Sequence, residues 1–355
     1  MIRSGFAPGG PLSTGPTTSV GPATPDTVYE PVPYWARVPH GVWLREATSV
    51  AVDSEDRVYV FNRGNMPVVV FDRDGNLVDM WGNDTPFAGT ELFEDPYGNT
   101  MSRWKGCRFQ RAHALTVDHE DHLWLVDDIG NRVTKTDRKG NTLLTLGAGR
   151  PSGFQSGDPF NRPTDVAVSP RTGDVFVTDG YGNSRVHRYD AEGRHLGSWG
   201  EPGSAEGRFS LPHGIALFGD DAVIVCDREN HRVQVFSLDG AFRTSWHVHR
   251  AVAVCAGRGA DTHVYVAEQG PPPVQYGVPG LGHKIQIYDR AGRRVTGFGA
   301  DLPGEGPDQF NWLHSVAVDS EGSVYAAEVS YVEVGSKLTP PRELVSLRKW
   351  RRVRG

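Results

Sequence analysis

The sequence predicts an all-β protein, a six-bladed β-propeller assembled from one repeated unit. A group of four short apolar runs separated by turns recurs about every 45 residues, which is typical of propeller blades. The 355 residues include 43 Gly and 25 Pro, as expected for many short strands joined by tight turns. No long stretch has helical periodicity. Together these observations favour one repeat domain over several unrelated domains.

The stretch from Asn161 to Leu217 contains the clearest copy of the unit and, from Leu211 onwards, the beginning of the next copy. Its first two runs alternate apolar and polar side chains, Gly193 supplies a hairpin turn, and Trp199 closes the fourth run. The six predicted innermost strands are residues 48–53, 113–118, 164–168, 213–217, 250–254 and 314–319. The second strands follow at residues 57–61, 122–126, 174–178, 222–226, 263–267 and 323–327.

The sixth copy lacks a fourth strand of its own. We expect residues 29–38 to supply that strand by pairing with the last blade, which removes an exposed sheet edge. Two long connections, residues 83–103 and 270–284, can overhang the central pocket as lids. Residues 1–27 are rich in Pro, Gly, Ser and Thr and are predicted to be disordered, which leaves residues 28–355 as a single propeller domain.

Charge and cysteine content limit the partners and the compartment. The formal charge of −6 argues against a surface that neutralises phosphates, so neither nucleic acid nor an anionic membrane is an expected partner. Cys107, Cys226 and Cys255 lie far apart and indicate neither a disulfide framework nor a thiolate metal site. No segment has the apolar length of a signal peptide or a membrane span, so a cytoplasmic location is expected.

Histidine occupies the first position of alternate innermost strands. The six first positions are Thr48, His113, Thr164, His213, Arg250 and His314. Equivalent residues of the innermost strands surround one axis, so the three imidazoles are expected to converge with near three-fold symmetry. Three histidines that leave one coordination position open are what a catalytic Zn²⁺ requires. A lone histidine at a strand end is ordinarily structural, but its recurrence in every second blade predicts a metal site.

A second set of residues follows the second strands. Its members are Arg63, Asp128, Tyr181, Arg228, Glu268 and Glu328. Beside a metal, arginine can grip a carboxylate with two hydrogen bonds and a phenol can act as a base. A surface ion pair explains either arginine alone equally well. We predict that an anionic small molecule binds to Arg63 and Arg228, together with Arg250 and Glu328.

The histidines, the residues after the second strands and the motifs around them resemble those of NHL-repeat propellers, and more narrowly those of the peptidyl-α-hydroxyglycine α-amidating lyases. The resemblance extends over residues 30–350 and is densest in the third and fourth blades. The motifs that carry it are Phe61-Asn-Arg63-Gly, Pro163-Thr-Asp-Val-Ala-Val, Thr178-Asp-Gly-Tyr181-Gly-Asn-Ser-Arg, Leu211-Pro-His213-Gly and Cys226-Asp-Arg228-Glu-Asn.

The resemblance implies a reaction and assigns roles in it. The reaction cleaves the C–N bond of a carbinolamide to give a primary amide and glyoxylate; zinc lowers the pKa of the substrate hydroxyl, and a tyrosine takes or relays its proton. Two arginines hold the substrate carboxylate. The positions that match the family's zinc ligands are His113, His213 and His314. The position of its tyrosine is Tyr181, and those of its two arginines are Arg63 and Arg228.

Two departures from the family bear on metals and disulfides. In the family, a structural calcium is held by two backbone carbonyls, which match Val50 and Leu115, and by an aspartate directly after the last zinc histidine. Ser315 stands at the aspartate position here, which argues against calcium because hard cations depend on carboxylates. Gly182 stands where the secreted enzymes have a cysteine beside the tyrosine.

Three functional hypotheses follow. The leading one is a zinc-dependent lyase that acts on a carbinolamide or another small anionic substrate. The second is a non-catalytic NHL scaffold that binds a protein partner, and metal analysis separates it from the first. The third is a propeller lactonase or related hydrolase, which the histidine-rich axis disfavours because calcium-dependent propellers need oxygen ligands. The oligomeric state is left open.

Overall fold

The computed structural model describes residues 23–353; residues 1–22, most of the segment predicted to be disordered, lie outside the described residues. The chain enters through β1 (Val28–Pro31). The next sheet is formed by β2 (Ala47–Val52), β3 (Val58–Asn62), β4 (Val68–Phe71) and β5 (Leu77–Trp81). A two-stranded hairpin follows, made of β6 (Thr90–Glu94) and β7 (Thr100–Trp104).

The middle of the chain forms three further sheets. The second sheet is formed by β8 (Ala112–Val117), β9 (Leu123–Asp127), β10 (Arg132–Thr136) and β11 (Thr142–Leu146). The third is formed by β12 (Asp165–Val168), β13 (Val175–Asp179), β14 (Arg185–Tyr189) and β15 (His195–Trp199). The fourth is formed by β16 (Pro212–Leu217), β17 (Ala222–Asp227), β18 (Arg232–Ser237) and β19 (Phe242–His247).

Two sheets complete the ring. The fifth sheet is formed by β20 (Ala251–Ala256), β21 (Val264–Glu268), β22 (His283–Tyr288) and β23 (Arg294–Ala300). The sixth is formed by β24 (Leu313–Val318), β25 (Val324–Glu328), β26 (Leu347–Val353) and β1. The helical pieces are short: α1 (Ser330–Glu333) and 3₁₀ turns at Arg228–Asn230, Pro273–Gln275 and Gly335–Lys337.

Each sheet is one blade, numbered 1 to 6 in the order of its innermost strand, so the predicted six-bladed propeller is confirmed. The innermost strands β2, β8, β12, β16, β20 and β24 contact one another in a closed ring. β1 is the outermost strand of blade 6 and pairs antiparallel with β26, Tyr29 opposite Arg352. It is shorter than the predicted residues 29–38, and Pro33, two residues beyond its end, lacks the amide hydrogen that a longer ladder would need.

The hydrophobic core lies between neighbouring blades, as six clusters. In the cluster between blades 2 and 3, Trp124 and Val126 of β9 pack against Val175 and Val177 of β13. The same strands alternate their side chains between two faces, so each blade buries one face against each neighbour. Closing the ring therefore buries both faces of every blade and needs no separate core layer.

Glycines in the outer hairpin turns allow the blades to approach each other closely. Gly140 and Gly240 have φ of 81° and 89°, a conformation that side chains disfavour. A Cβ on Gly140 would lie 2.5 Å from the ring of Trp81, the residue that closes the preceding blade. A Cβ on Gly240 would meet Trp199 at 2.8 Å in the same way. The recurring Trp and Gly of the sequence are therefore partners across blade interfaces.

A β-bulge begins the innermost strand in five of the six blades. In blade 2, Ala112 lies opposite Asp127 and Ala114 opposite Val126, so His113 has no partner of its own. His314 is skipped in the same way in blade 6, and His213 lies within the longer shift of blade 4. A bulge re-aims the side chain of its extra residue. This local distortion directs the histidines towards the propeller axis.

The β6–β7 hairpin lies in one of the two predicted lids. Trp104 of β7 stacks on Trp43, with ring centroids 5.7 Å apart and planes 5° from parallel. At its tip, the Tyr97 hydroxyl donates to Asn161 Oδ1 at 2.8 Å, which ties the hairpin to blade 3. In the other predicted lid the structure places the 3₁₀ turn Pro273–Gln275 and, at its end, the first two residues of β22. None of the helices in residues 23–353 has the length and apolar character needed to cross a bilayer.

Candidate active site

The three predicted histidines converge on the axis. One potential ligand nitrogen from each of His113, His213 and His314 lies within 4.8 Å of the others. The ring centroids are 4.8 to 5.1 Å apart, and the rings are tilted by 49° to 85° against one another. All three side chains are buried. The cluster can therefore hold a metal ion, as the alternate-blade spacing predicts.

The intervening blades orient these imidazoles. Nδ1 of His113 donates to the backbone oxygen of Thr164 at 2.6 Å, Nδ1 of His213 to Val252 at 2.8 Å, and Nδ1 of His314 to Thr48 at 2.7 Å. A carbonyl oxygen can only accept, so Nδ1 carries the hydrogen in each ring. Each Nε2 is left with a lone pair for a metal. The Nδ1–carbonyl hydrogen bonds thus fix both the tautomer and the orientation of each ring.

Burial keeps these imidazoles neutral. It is the largest cause that lowers the pKa of His314, to about 3, and the positive charge of Arg63 is the next. The pKa of His113 and of His213 also lies well below the ordinary 6.5, through burial first and His314 second. A neutral imidazole is the form that binds a metal. The site is therefore ready for a cation without losing a proton.

Metal affinity is expected to change less than about tenfold between roughly pH 7.5 and pH 5.5, because no proton has to leave. Three histidines of ordinary pKa would lose affinity on the order of 10³-fold over that interval. Competition with a chelator of known affinity at each pH measures the difference. A 10³-fold loss of affinity would contradict the neutral cluster.

The lowered pKa values of the three histidines also make the stability of the metal-free protein depend on pH. Below pH 6.5 the unfolded chain binds more protons than the folded chain, so the metal-free protein should lose stability as pH falls from 6.5 towards 3.

The Tyr181 hydroxyl lies directly over two of the histidines. Its oxygen is 3.1 Å from Nε2 of His113 and 3.4 Å from Nε2 of His213. Tyr181 follows β13 through Gly180, where a Cβ would lie only 1.9 Å from the backbone oxygen of Pro212. Glycine at that position is what lets the loop approach the axis. The phenol is thus placed within proton-transfer distance of a ligand that occupies the histidine centre.

Arg162 supports this tyrosine, and the sequence reasoning missed it. Its guanidinium lies 4.4 Å from the centroid of the Tyr181 ring and 5.6 Å from that of Tyr97. It also pairs with buried Asp128 at 3.2 Å. Arg162 stands two residues before Thr164, as Arg111 stands two residues before His113, and this repeated offset is the sequence feature that could have revealed both. Arg111 pairs with Asp128 as well.

Arg63 and Arg228 approach the centre from opposite blades, 1 and 4. Arg63 donates from Nε to Ala112 O at 3.0 Å and from Nη1 to Glu46 Oε1 at 2.9 Å. Arg228 donates from Nε to Glu229 Oε1 at 2.8 Å, and neither of its Nη atoms is bonded to a described residue. The positive charges of both arginines lower the pKa of His314, after burial, which places them near the centre. Both Nη atoms of Arg228 are therefore available to a carboxylate that accepts two parallel hydrogen bonds.

The structure does not bring Glu328 to this site. The carboxylate is fully buried, accepts from Asn311 N at 2.5 Å and Trp312 N at 3.1 Å, and pairs with Arg348 at 2.6 Å. Asp127 accepts from the equivalent backbone amides in blade 2. Glu328 is therefore the last residue of its strand and a structural acceptor. The predicted substrate-binding role is not supported. The predicted strand ended at residue 327, one residue too early, and Glu328 belongs to the strand rather than to the loop that follows it.

Arg250 is also displaced from its predicted position. The residue equivalent to the histidines in blade 5 is Val252, at the bulge between Ala251 and Ala253. Arg250 lies two residues earlier, donates to Glu229 Oε1 at 3.0 Å and to Gly270 O at 3.3 Å. Through Glu229 it is linked to Arg228. The structure thus places Arg250 beside a substrate-binding candidate but outside the ring of histidines and carbonyls.

A cavity of about 310 Å³ follows the axis beneath the histidines. Serine hydroxyls lie at the position that matches the family's calcium site: Ser315 Oγ is 3.3 Å from Ser49 Oγ, which donates to Leu115 O at 3.2 Å. Asp165 also lines this cavity, and its carboxylate accepts from Val166 N and Ile215 N. Burial raises the pKa of Asp165 to about 7. That this chain does not bind the family's calcium, because Ser315 replaces the aspartate, stays a prediction.

The chain matches the NHL repeat family over residues 160–189, in blade 3, and over residues 209–236, in blade 4. Peptidylglycine alpha-amidating monooxygenase of Rattus norvegicus is 35% identical over 56% of this chain and 21% of that protein. Peptidyl-alpha-hydroxyglycine alpha-amidating lyase 1 of Drosophila melanogaster is 29% identical over 83% of this chain and 57% of that protein. The chain thus spans less than two thirds of the length of these relatives.

Solved structures share the fold. Virginiamycin B lyase from Staphylococcus aureus superposes with a TM-score of 0.54 and 15% identity, over 87% of this chain and 96% of that one. A gluconolactonase from Xanthomonas campestris gives 0.54 and 14%, over 96% and 99%. At this identity the likeness concerns the fold alone. The resemblance drawn from the sequence is confirmed to this extent: the chain is a six-bladed β-propeller, blades 3 and 4 match NHL repeats, and its homologues include proteins named peptidyl-alpha-hydroxyglycine alpha-amidating lyase.

Proposed function

We propose that this protein is a zinc-dependent lyase that cleaves the C–N bond of a carbinolamide bearing a carboxylate. The observation that carries the proposal is the position of the Tyr181 hydroxyl, 3.1 and 3.4 Å from two of three converging, buried imidazole nitrogens. A metal cluster alone would suit many reactions, but a phenol at this distance suits proton transfer to or from a bound hydroxyl. The names of the homologues point to the same reaction.

The donor set fits zinc. Three neutral imidazoles with fixed tautomers leave room for a further ligand, which is the usual composition of a catalytic zinc site, whereas calcium and magnesium prefer oxygen donors. His113, His213 and His314 would hold the ion. When bound, Zn²⁺ supplies Lewis acidity towards the substrate hydroxyl.

The chain's own residues perform the remaining work. Arg228 binds the substrate carboxylate with its two free Nη atoms, and Arg63 adds positive charge near the hydroxyl. Tyr181, in its phenolate form, accepts the hydroxyl proton, the O–H electron pair forms the new C=O bond, and the C–N pair leaves with the amide nitrogen. The phenol formed in this way gives its proton to that nitrogen, which regenerates the phenolate and yields a primary amide and glyoxylate.

Two measurements on the purified full-length chain test this function. Elemental analysis should find one zinc per chain, and incubation with an N-acyl-α-hydroxyglycine should release equal amounts of glyoxylate and amide. Removing the metal with a chelator should abolish release, and adding Zn²⁺ should restore it. A chain that holds no metal at the axis would be the NHL scaffold instead, and release of a carboxylic acid from a lactone in place of glyoxylate would favour the hydrolase hypothesis.

A further inference from the structure

We propose that a pocket between blades 1 and 2, beneath the β6–β7 hairpin, binds an apolar and preferably aromatic acyl group on the amide side of the substrate. This inference rests on the proposed function and adds the substrate class to it. We call this space the acyl pocket. Its apolar walls are Met101 and Trp104 of β7, Phe109 in the connection to β8, and Tyr331 and Val332 of α1.

The acyl pocket is a defined compartment. Its volume is about 240 Å³. For comparison, an apolar cavity of about 150 Å³ is sufficient to bind benzene. Elements from blades 1, 2 and 6 enclose it, and its roof is held in place by the Trp43–Trp104 stack and by the Tyr97–Asn161 hydrogen bond. A fixed roof means that a ligand fills an existing space and loses little free energy to ordering the protein.

The acyl pocket adjoins the histidine centre. Arg63 and Ala112 line it, Arg63 donates to the backbone oxygen of Ala112, and Ala112 directly precedes His113. A group bonded to the reacting carbon through an amide can therefore reach the pocket without leaving the site.

The direction follows from the two candidate arginines. Arg228 on blade 4 has free Nη atoms for the substrate carboxylate, whereas Arg63 on blade 1 has two of its nitrogens engaged with Ala112 and Glu46. Blades 1 and 4 face each other across a six-membered ring. A substrate whose carboxylate lies on Arg228 and whose hydroxyl lies at the histidines extends its acyl group towards blade 1 and the acyl pocket.

Charge excludes a basic acyl group. Arg63 and Arg111 are paired with Glu46 and Asp128, but Arg45, which lines the pocket beside the Tyr331 ring at 4.6 Å, has no ion-pair partner among residues 23–353. An additional cation in this compartment would be repelled by the Arg45 guanidinium, whose nearby acidic group, Glu343, does not line the pocket. The acyl group that fits best is therefore apolar and uncharged.

The test compares two substrates, phenylacetyl-α-hydroxyglycine and acetyl-α-hydroxyglycine. Burying one aromatic ring should raise kcat/KM of the wild-type protein for the phenylacetyl compound about 10- to 100-fold over the acetyl compound. Met101→Trp, which fills the pocket, should bring that ratio close to one. Leu92→Trp places the same bulk at a hairpin position that is 74% exposed and does not line the pocket, and it should keep the wild-type ratio.

The possible outcomes are distinct. A wild-type ratio near one, or an unchanged ratio in Met101→Trp, overturns the pocket while the lyase activity stands. No turnover of either substrate by zinc-loaded wild type overturns the proposed function and the pocket with it. If Met101→Trp does not fold, Val332→Trp on α1 narrows the same space from another element and should reduce the ratio in the same way.

Discussion

Replacing His213 by alanine is expected to lower kcat/KM on a carbinolamide by on the order of 10³-fold, because Lewis-acid stabilisation is worth several kcal/mol and each 1.4 kcal/mol is tenfold in rate. Two imidazoles cannot complete the site that three form, so the zinc content of the variant should fall in parallel. Steady-state kinetics and elemental analysis of the same preparation check both. The propeller should remain folded, since its core lies between the blades.

His195→Ala is the matched control. His195 is an exposed histidine on β15, and its nearest polar contact is Ser198 Oγ at 3.0 Å. Its removal should change neither zinc content nor rate. The comparison separates loss of a metal ligand from loss of any histidine. Full zinc occupancy together with wild-type turnover in His213→Ala would rule out the axial metal site as the centre of catalysis.

Replacing Tyr181 by phenylalanine is expected to lower kcat by about 10²- to 10⁴-fold, the usual contribution of a positioned general acid or base. The change removes only the hydroxyl, and the ring can still stack under Arg162. Zinc content should therefore stay at the wild-type value, which distinguishes this variant from His213→Ala. Rate measurements at saturating substrate with parallel metal analysis give the two numbers needed.

Tyr189→Phe serves as the control for Tyr181→Phe. Tyr189 belongs to the same blade, and its buried hydroxyl has no hydrogen-bond partner among the described residues. Removing that hydroxyl should leave kcat unchanged. Turnover of Tyr181→Phe within a few-fold of wild type would mean that the proton leaves by another route, and the proton-transfer role of the phenol would have to be abandoned.

The propeller could be predicted because its determinants repeat along the chain. Alternating strands recur in every blade, hairpin glycines such as Gly140 and closing aromatics such as Trp81 recur in most of them, and the glycine and aromatic contribute to contacts between adjacent blades. Repetition also made the histidine centre predictable. Equivalent positions in a ring of blades must face one axis, so a histidine in every second blade implies convergence without knowledge of any distance.

Arg250 and Glu328 show where repetition misleads. The bulge in blade 5 lies at Val252. The apolar residues that follow Arg250 resemble the innermost strands of the other blades, so the sequence pattern placed the equivalent of the histidines two residues too early. Glu328 ends its strand, and Val329 is the residue that corresponds to Arg63 and Arg228. A bulge adds a residue to one strand without changing the hydrophobic alternation enough to be recognised.

The sequence by itself determined the number of blades, the axial histidines and the neighbourhood of Tyr181, because these follow from periodic local contacts. Only the tertiary structure decided that Arg162 stacks between Tyr97 and Tyr181, that Arg228 keeps a free fork while Arg63 does not, and that a hairpin closes an apolar pocket beside the centre. Those arrangements join loops of different length from different blades. Their contacts depend on how the chain folds back in space, and no repeat of the sequence encodes them.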